Sequence, residues 1–238
     1  MENQKAKEFL DIYNELDGYM RKSLNADTGT GHTQLINILS GKDKHFYAYE
    51  QDLKSFADLR NAIVHNKYSK EADPIAEPHE IIIRKYNELK NQIINPPKAL
   101  SVAVRDIFTA SLQDKAIDIM RIMHQKVFTH IPIIENDLFV GVFSENVILS
   151  YLTEKEITLI DKDTLIKDFL EFLPLEKHLS ETFEFISRDK LLVEVQEIFQ
   201  NSFKERKRLM VVYITENGKP TEKLLGMITP WDMFGSKN

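Results

Sequence analysis

Leu225-Gly226-Met227-Ile228-Thr229-Pro230-Trp231-Asp232 reads as a short apolar strand running into a helix. Thr229 is a good N-cap, because its hydroxyl can accept one of the backbone N–H groups that the first helical turn leaves unpaired. Pro230 suits the first helical position, where its φ is already helical and no donor is needed. Asp232 stands three residues after the cap, so its carboxylate can reach back to the cap N–H or outward to the hydroxyls of a ligand. The pattern has an echo in Val140-Gly141-Val142-Phe143-Ser144-Glu145-Asn146-Val147, with the same apolar strand, glycine, two apolar residues and hydroxyl cap.

The echo extends upstream. Val104-Arg105-Asp106-Ile107-Phe108 matches Ile166-Lys167-Asp168-Phe169-Leu170, and Asp114-Lys115-Ala116-Ile117 matches Asp189-Lys190-Leu191-Leu192. Three matches in one order make an internal repeat of a βαββα unit. The pattern resembles a tandem pair of CBS domains, with repeat 1 over residues 98–163 and repeat 2 over 164–238. One such unit cannot cover its own sheet. Two packed face to face bury both sheets and leave two clefts related by a pseudo-twofold axis.

The resemblance implies a regulatory ligand for those clefts, an adenosine nucleotide such as AMP, ADP or ATP. In the family a hydroxyl residue opens the last helix and an Asp three residues later binds the ribose diol, positions matched here by Thr229 and Asp232. The helix N-terminus favours a nearby phosphate. Arg208, in the run Arg206-Lys207-Arg208 before the middle strand, could meet a phosphate tail, or the run could be a solvated charge cluster at a helix end. Aligning the strands by sequence sets Arg208 against His130 and Met210 against Pro132. Repeat 1 keeps the hydroxyl as Ser144 but has Val147 in place of the Asp, so one competent cleft is expected and one that is empty or takes something else.

The first 97 residues read as helical. Ala6, Phe9, Leu10, Ile12, Tyr13, Leu16, Tyr19, Met20 and Leu24 make an apolar stripe over 4–24. Further helices are expected at about 33–40, 46–64 and after Pro78, the last ended by Asn95-Pro96-Pro97. Within the third, Leu59-Arg60-Asn61-Ala62-Ile63-Val64-His65-Asn66 sets Asn61 and His65 four apart on one face. An Arg, a polar residue, three spacers and a His resemble the motif of the HEPN superfamily, some members of which are metal-independent ribonucleases with an active site composed across a dimer. The resemblance implies a four-helix bundle with His65 as acid/base, Arg60 as phosphate clamp and Asn61 as orienting group. The other reading of these residues is a set of hydrogen bonds within the bundle or across a structural interface.

Composition bounds these readings. The 238 residues include no cysteine, so disulfides and thiolate metal sites are excluded, and no metal is expected. No apolar run approaches a membrane span, and a soluble, cytoplasmic protein is expected. The net charge of −6 argues against a general nucleic-acid coat. The combined expectation is an α+β chain: a HEPN-like four-helix domain at 1–97 controlled by a nucleotide-sensing CBS pair, in a homodimer, with RNA as the candidate substrate. The alternative is a non-catalytic sensor whose helical domain docks a partner protein.

Overall fold

The computed structural model describes residues 4–64, 76–156 and 159–234. The chain divides into two compact units, Met1–Pro96 and Pro97–Asn238.

The first unit is helical: α1 (Gln4–Leu24), α2 (His32–Lys42), α3 (Lys44–Ala48), α4 (Glu50–Val64) and α5 (Glu80–Ile94). The stripe on α1 buries Ala6, Phe9, Ile12, Leu16 and Met20, against Leu35 and Ile36 of α2, Leu53 and Ile63 of α4, and Ile83, Tyr86 and Ile93 of α5. Tyr86 anchors the centre, with Phe9 at 4.9 Å and Phe56 stacked at 4.2 Å between ring centroids. The helix expected over 46–64 is divided in two at Tyr49, whose φ of −107° and ψ of 4° leave the helical basin. Asp43 caps α3 by accepting from the His45 N–H, a local interaction that starts a separate short helix.

The second unit holds both repeats. Repeat 1 contains α6 (Ala116–Lys126), β1 (His130–Glu135), β2 (Leu138–Ser144) and α7 (Glu145–Glu154). Asn136 and Asp137, both at positive φ, make the tight turn between antiparallel β1 and β2. Repeat 2 contains β3 (Thr182–Ser187), α8 (Leu192–Lys204), β4 (Leu209–Thr215), β5 (Gly226–Ile228) and α9 (Pro230–Phe234), with β4 parallel to β3 and antiparallel to β5.

Strand alternation sorts the side chains into layers. Ile131, Ile133 and Phe143 face the repeat 1 helices, and Val212, Ile214 and Ile228 face those of repeat 2. The intervening Val142, Val211 and Tyr213 make a third core with Phe139, Phe183, Phe185 and Met227, where the two sheets meet. Phe139, Phe185 and Tyr213 form an aromatic triangle there, each pair 5.2–5.4 Å apart.

Each repeat is completed by the segment that leads into the other. Ala99 lies in the repeat 2 core, and Val104 exchanges both backbone hydrogen bonds with Met227, at 2.9 and 3.0 Å. Reciprocally, Ile166, Phe169, Phe172 and Leu173 lie in the repeat 1 core, and the Leu173 carbonyl accepts from Val142 N–H at 3.0 Å.

These bonds correct the repeat register. The first N–H of α6 donates to Thr164 O and that of α8 to Pro97 O, so Ile166 corresponds to Ala99 and not to Val104. Both residues open short 3-10 turns, Ala99–Ser101 and Ile166–Phe169. Likewise Gly141 pairs with Ile133 and Gly226 with Ile214, so the counterpart of His130 is Val211, three residues beyond Arg208, and that of Pro132 is Tyr213. Local composition misaligned these segments because it cannot see which carbonyl each one docks on.

Gly141 marks the tightest point of the exchange: a Cβ there would stand 2.1 Å from the Leu173 carbonyl oxygen, which the paired backbone cannot vacate. Gly141→Ala should destabilise the second unit by about 3 kcal/mol in urea unfolding. Gly226→Ala, whose nearest contact is the Ala103 Cβ at 3.0 Å, should cost clearly less.

Candidate functional site

A cavity of about 870 Å³ opens at the seam between the repeats. Repeat 1 supplies Thr129 and His130 from the start of β1, and Glu145 and Asn146 from the first turn of α7. Repeat 2 supplies Phe199, Phe203 and Lys204 from α8, then Lys207, Arg208, Leu209 and Met210 at the entry to β4, and Pro230. The space therefore has an apolar floor, a cationic wall and an opposite wall of hydrogen-bonding groups, within the size range of small-molecule sites. Lys207 pairs with Glu205 at 2.8 Å, whereas Lys204 and Arg208 have no ion-pair partner among the described residues.

Glu181 lines the same cavity. Its carboxylate accepts from His130 Nε2 at 2.9 Å, His178 Nδ1 at 3.0 Å, Ser144 Oγ at 2.9 Å and Asn146 Nδ2 at 2.7 Å. The side chain is 5% exposed, and those of His130 and His178 are 6% and 0% exposed. Both ring nitrogens of His178 face acceptors, Glu181 Oε2 and the Leu173 carbonyl. Burial opposes ionisation of Glu181, but bonds from His130, His178 and Ser144 outweigh it and hold the carboxyl well below the usual carboxylate range. Ser144, the repeat 1 hydroxyl cap, thus accepts from Val147 N–H while donating to Glu181. The repeat 1 cleft, expected to be empty or to take something else, holds the Glu181 carboxylate against Ser144. Sequence reading missed Glu181 because its partners lie 3 to 51 residues away, and only the reciprocal exchange of segments brings them together.

On the repeat 2 side, Asp232 Oδ2 accepts from both the N–H and the hydroxyl of Thr229, each at 2.7 Å. This is a capping interaction, and neither residue is among those lining the cavity, although Pro230 between them is. Of the three residues expected to hold a nucleotide, Arg208 alone faces this space. Counting back from the bridged residues Ala110 and Ile186, the position that matches Glu181 is Arg105. Arg105 follows Val104, which pairs with Met227 two residues before Thr229.

In the helical unit, Arg60 Nη1 donates to Asn61 Oδ1 at 3.4 Å, and the guanidinium lies 5.1 Å from the centre of the Tyr13 ring. His65 lies outside the described residues. Among the described residues no group of three or more His, Cys, Asp or Glu is placed to hold a metal ion, and no helix is long and apolar enough to cross a membrane.

Residues 99–154, repeat 1 with its lead-in, match the family model described as "CBS domain", and the second repeat has the same helix–strand–strand–helix order. No protein of curated function matches the chain. Similar solved structures include CBSX2 in complex with AMP, at 15% identity and a TM-score of 0.41 over 58% of this chain and 92% of that one. The CBS domain pair of protein MJ0100 in complex with 5′-methylthioadenosine and S-adenosyl-L-methionine is 15% identical, with a TM-score of 0.42 over 60% of this chain and 99% of that one. A CBS-domain-containing protein from Agrobacterium tumefaciens is 15% identical, with a TM-score of 0.38 over 56% and 86%.

Removing the Glu181 carboxylate leaves two buried imidazoles, a hydroxyl and an amide without their acceptor. Glu181→Ala should cost about 3–5 kcal/mol in denaturant unfolding. A depressed folded pKa contributes stability above the unfolded value of about 4.3 and loses it as pH falls towards the folded value. The wild type should therefore lose stability more steeply than Glu181→Gln when titrated from pH 5 to pH 2, read by thermal unfolding.

Proposed function

We propose that the cavity between the repeats binds an adenosine nucleotide, AMP, ADP or ATP, and that its occupancy regulates the helical unit. The observation that carries this reading is the division of labour around the cavity. An apolar floor of Phe199, Leu209 and Met210 suits a base, and Lys204 and Arg208, without ion-pair partners among the described residues, suit a phosphate. The opposite carboxylate, Glu181, is already committed to four donors, so the ligand's anionic end belongs on the repeat 2 side. Arg105, which stands where the symmetry would otherwise deliver a second carboxylate, adds to that bias. For Asp232 to hold the ribose diol, its carboxylate has to exchange the Thr229 hydroxyl for those of the sugar, a swap of like hydrogen bonds.

The regulated activity in this reading is metal-independent RNA cleavage in a homodimer, with Arg60, Asn61 and His65 as the reacting set. Regulation requires the nucleotide to bind two arrangements of the protein with different affinity. A second reading, in which the helical unit only docks a partner protein, is favoured by Arg60 itself. Its guanidinium is turned onto Tyr13 and Asn61 within the unit.

Thermal unfolding in the presence of AMP, ADP, ATP and S-adenosylmethionine tests the sensor. A ligand at a hundredfold excess over its dissociation constant should stabilise the wild type by about 2.7 kcal/mol. Arg208→Ala should weaken phosphorylated ligands selectively, and Asp232→Ala should weaken all ligands that carry a ribose diol. Absence of a shift with every nucleotide would refute the sensor. Cleavage of mixed RNA without metal, lost in His65→Ala and altered by the stabilising nucleotide, separates the ribonuclease from the docking protein.

A further inference from the structure

The turn that ends α8 and leads into β4 is closed by two backbone bonds. Lys207 N–H donates to Ser202 O at 2.9 Å and Arg206 N–H to Phe203 O at 3.1 Å, the pair that ends a helix through a left-handed residue. That residue is Arg206, at φ 58°, a place that favours glycine because it has no Cβ to clash. Lys207 takes the next position, which frequently holds an apolar residue packed back on the helix. Here the Ser202 hydroxyl donates to the Lys207 carbonyl at 3.0 Å instead, so the turn is fixed around charge. The equivalent turn after α6 also passes through a left-handed residue, Val127 at φ 57°, but continues Phe128-Thr129 without a cation. The fold thus needs the turn and not its charge.

Four of the five residues 204–208 are cationic, and the one acid, Glu205, pairs with Lys207 at 2.8 Å. Lys204, Arg206 and Arg208 have no ion-pair partner among the described residues. Phe203 precedes this run and is 86% exposed, yet it also lines the cavity, so it stands on the rim. Pro230 lines the same cavity, and the residue after it, Trp231, is 84% exposed. Two large aromatic rings are therefore left in water beside a fixed cluster of cations.

This combination suits a partner that is apolar within and anionic at its boundary. We propose that Phe203, Trp231 and the cations Lys204, Arg206, Lys207 and Arg208 form a docking surface for an anionic lipid bilayer. The rings enter the headgroup layer, and the cations meet the acidic headgroups, which attract clusters of about four or more Lys and Arg. The surface is independent of the nucleotide reading. A chain of net charge −6 is repelled as a whole, but that repulsion is screened beyond about 8 Å at physiological salt, and the local cluster prevails. Pairing of this surface with itself in a second copy is opposed, because a twofold contact sets cations against cations. A nucleic-acid strand stacks its bases along a groove that tracks the phosphates, whereas these rings protrude, each more than four-fifths exposed.

Trp231 is the single tryptophan of the chain, so its emission reports on the surface directly. Vesicles of phosphatidylcholine containing about one third phosphatidylserine should float the full chain in a density gradient and shift that emission to the blue, and pure phosphatidylcholine should do neither. Salt at about 0.5 M should release the protein. Phe203→Ala, and separately Lys204→Gln with Arg208→Gln, should weaken binding about tenfold or more. Thermal unfolding of Phe203→Ala should match the wild type, because the ring is exposed. Failure to bind, equal binding to neutral vesicles, or binding that leaves Trp231 emission unmoved overturns the surface. It is overturned too if Phe203→Ala dissociates a dimer in sedimentation, which gives the rings to a second copy. Tighter binding of a single-stranded oligonucleotide than of the vesicles gives the cations to nucleic acid and likewise removes the proposal.

Discussion

The reciprocal exchange of lead-in segments is the constraint on which the second unit depends. Val104 lends its backbone to β5, and Leu173 lends its carbonyl to β2, so neither repeat has a complete sheet edge or a closed core without the chain that introduces the other. Buried backbone polar groups must be paired, and here the pairing is possible only when both repeats are present together. This explains why the two repeats form one compact unit. It also explains the closeness of Gly141 to Leu173, where a side chain has no room.

The same exchange decides the chemistry of the seam. Because the chain from Leu173 to Glu181 runs over repeat 1, a carboxylate is delivered against Ser144, His130 and Asn146, and His178 is buried beside it. Such a network is expensive to assemble and worse to leave half made, so it holds its members in one geometry. The corresponding position on the other side carries Arg105. Two positions related by approximate symmetry thereby carry opposite charge.

In the helical unit the apolar stripe of α1 organises the bundle, while its polar edge gathers Tyr13, Asp17 and Arg21 around His32 and Arg60. The motif helix α4 is thus tied to α1 through one aromatic ring. Arg60 acts there as a bracing residue, held against Asn61 and the Tyr13 ring.

The helix–strand–strand order in both repeats, the glycine and hydroxyl at the end of each second strand, and the apolar face of α1 were legible in the sequence, because these depend on spacings of two to four residues along one chain. The reach of Asp232 back to the Thr229 N–H was legible for the same reason, whereas the Thr229 hydroxyl, expected to accept a backbone N–H, donates to Asp232 because the carboxylate stands within its reach. Tertiary structure alone decided that Ile166 matches Ala99, that Val211 and not Arg208 matches His130, that the expected third helix is interrupted at Tyr49, and that Glu181 fills the first cleft. It also decided that His32, which no motif marks, stands between Asp17 and Tyr13. Each of these rests on contacts between segments remote in sequence, or on a backbone carbonyl that any residue type can supply. Residue identity constrains the first kind of feature directly, and the second only through the folded chain.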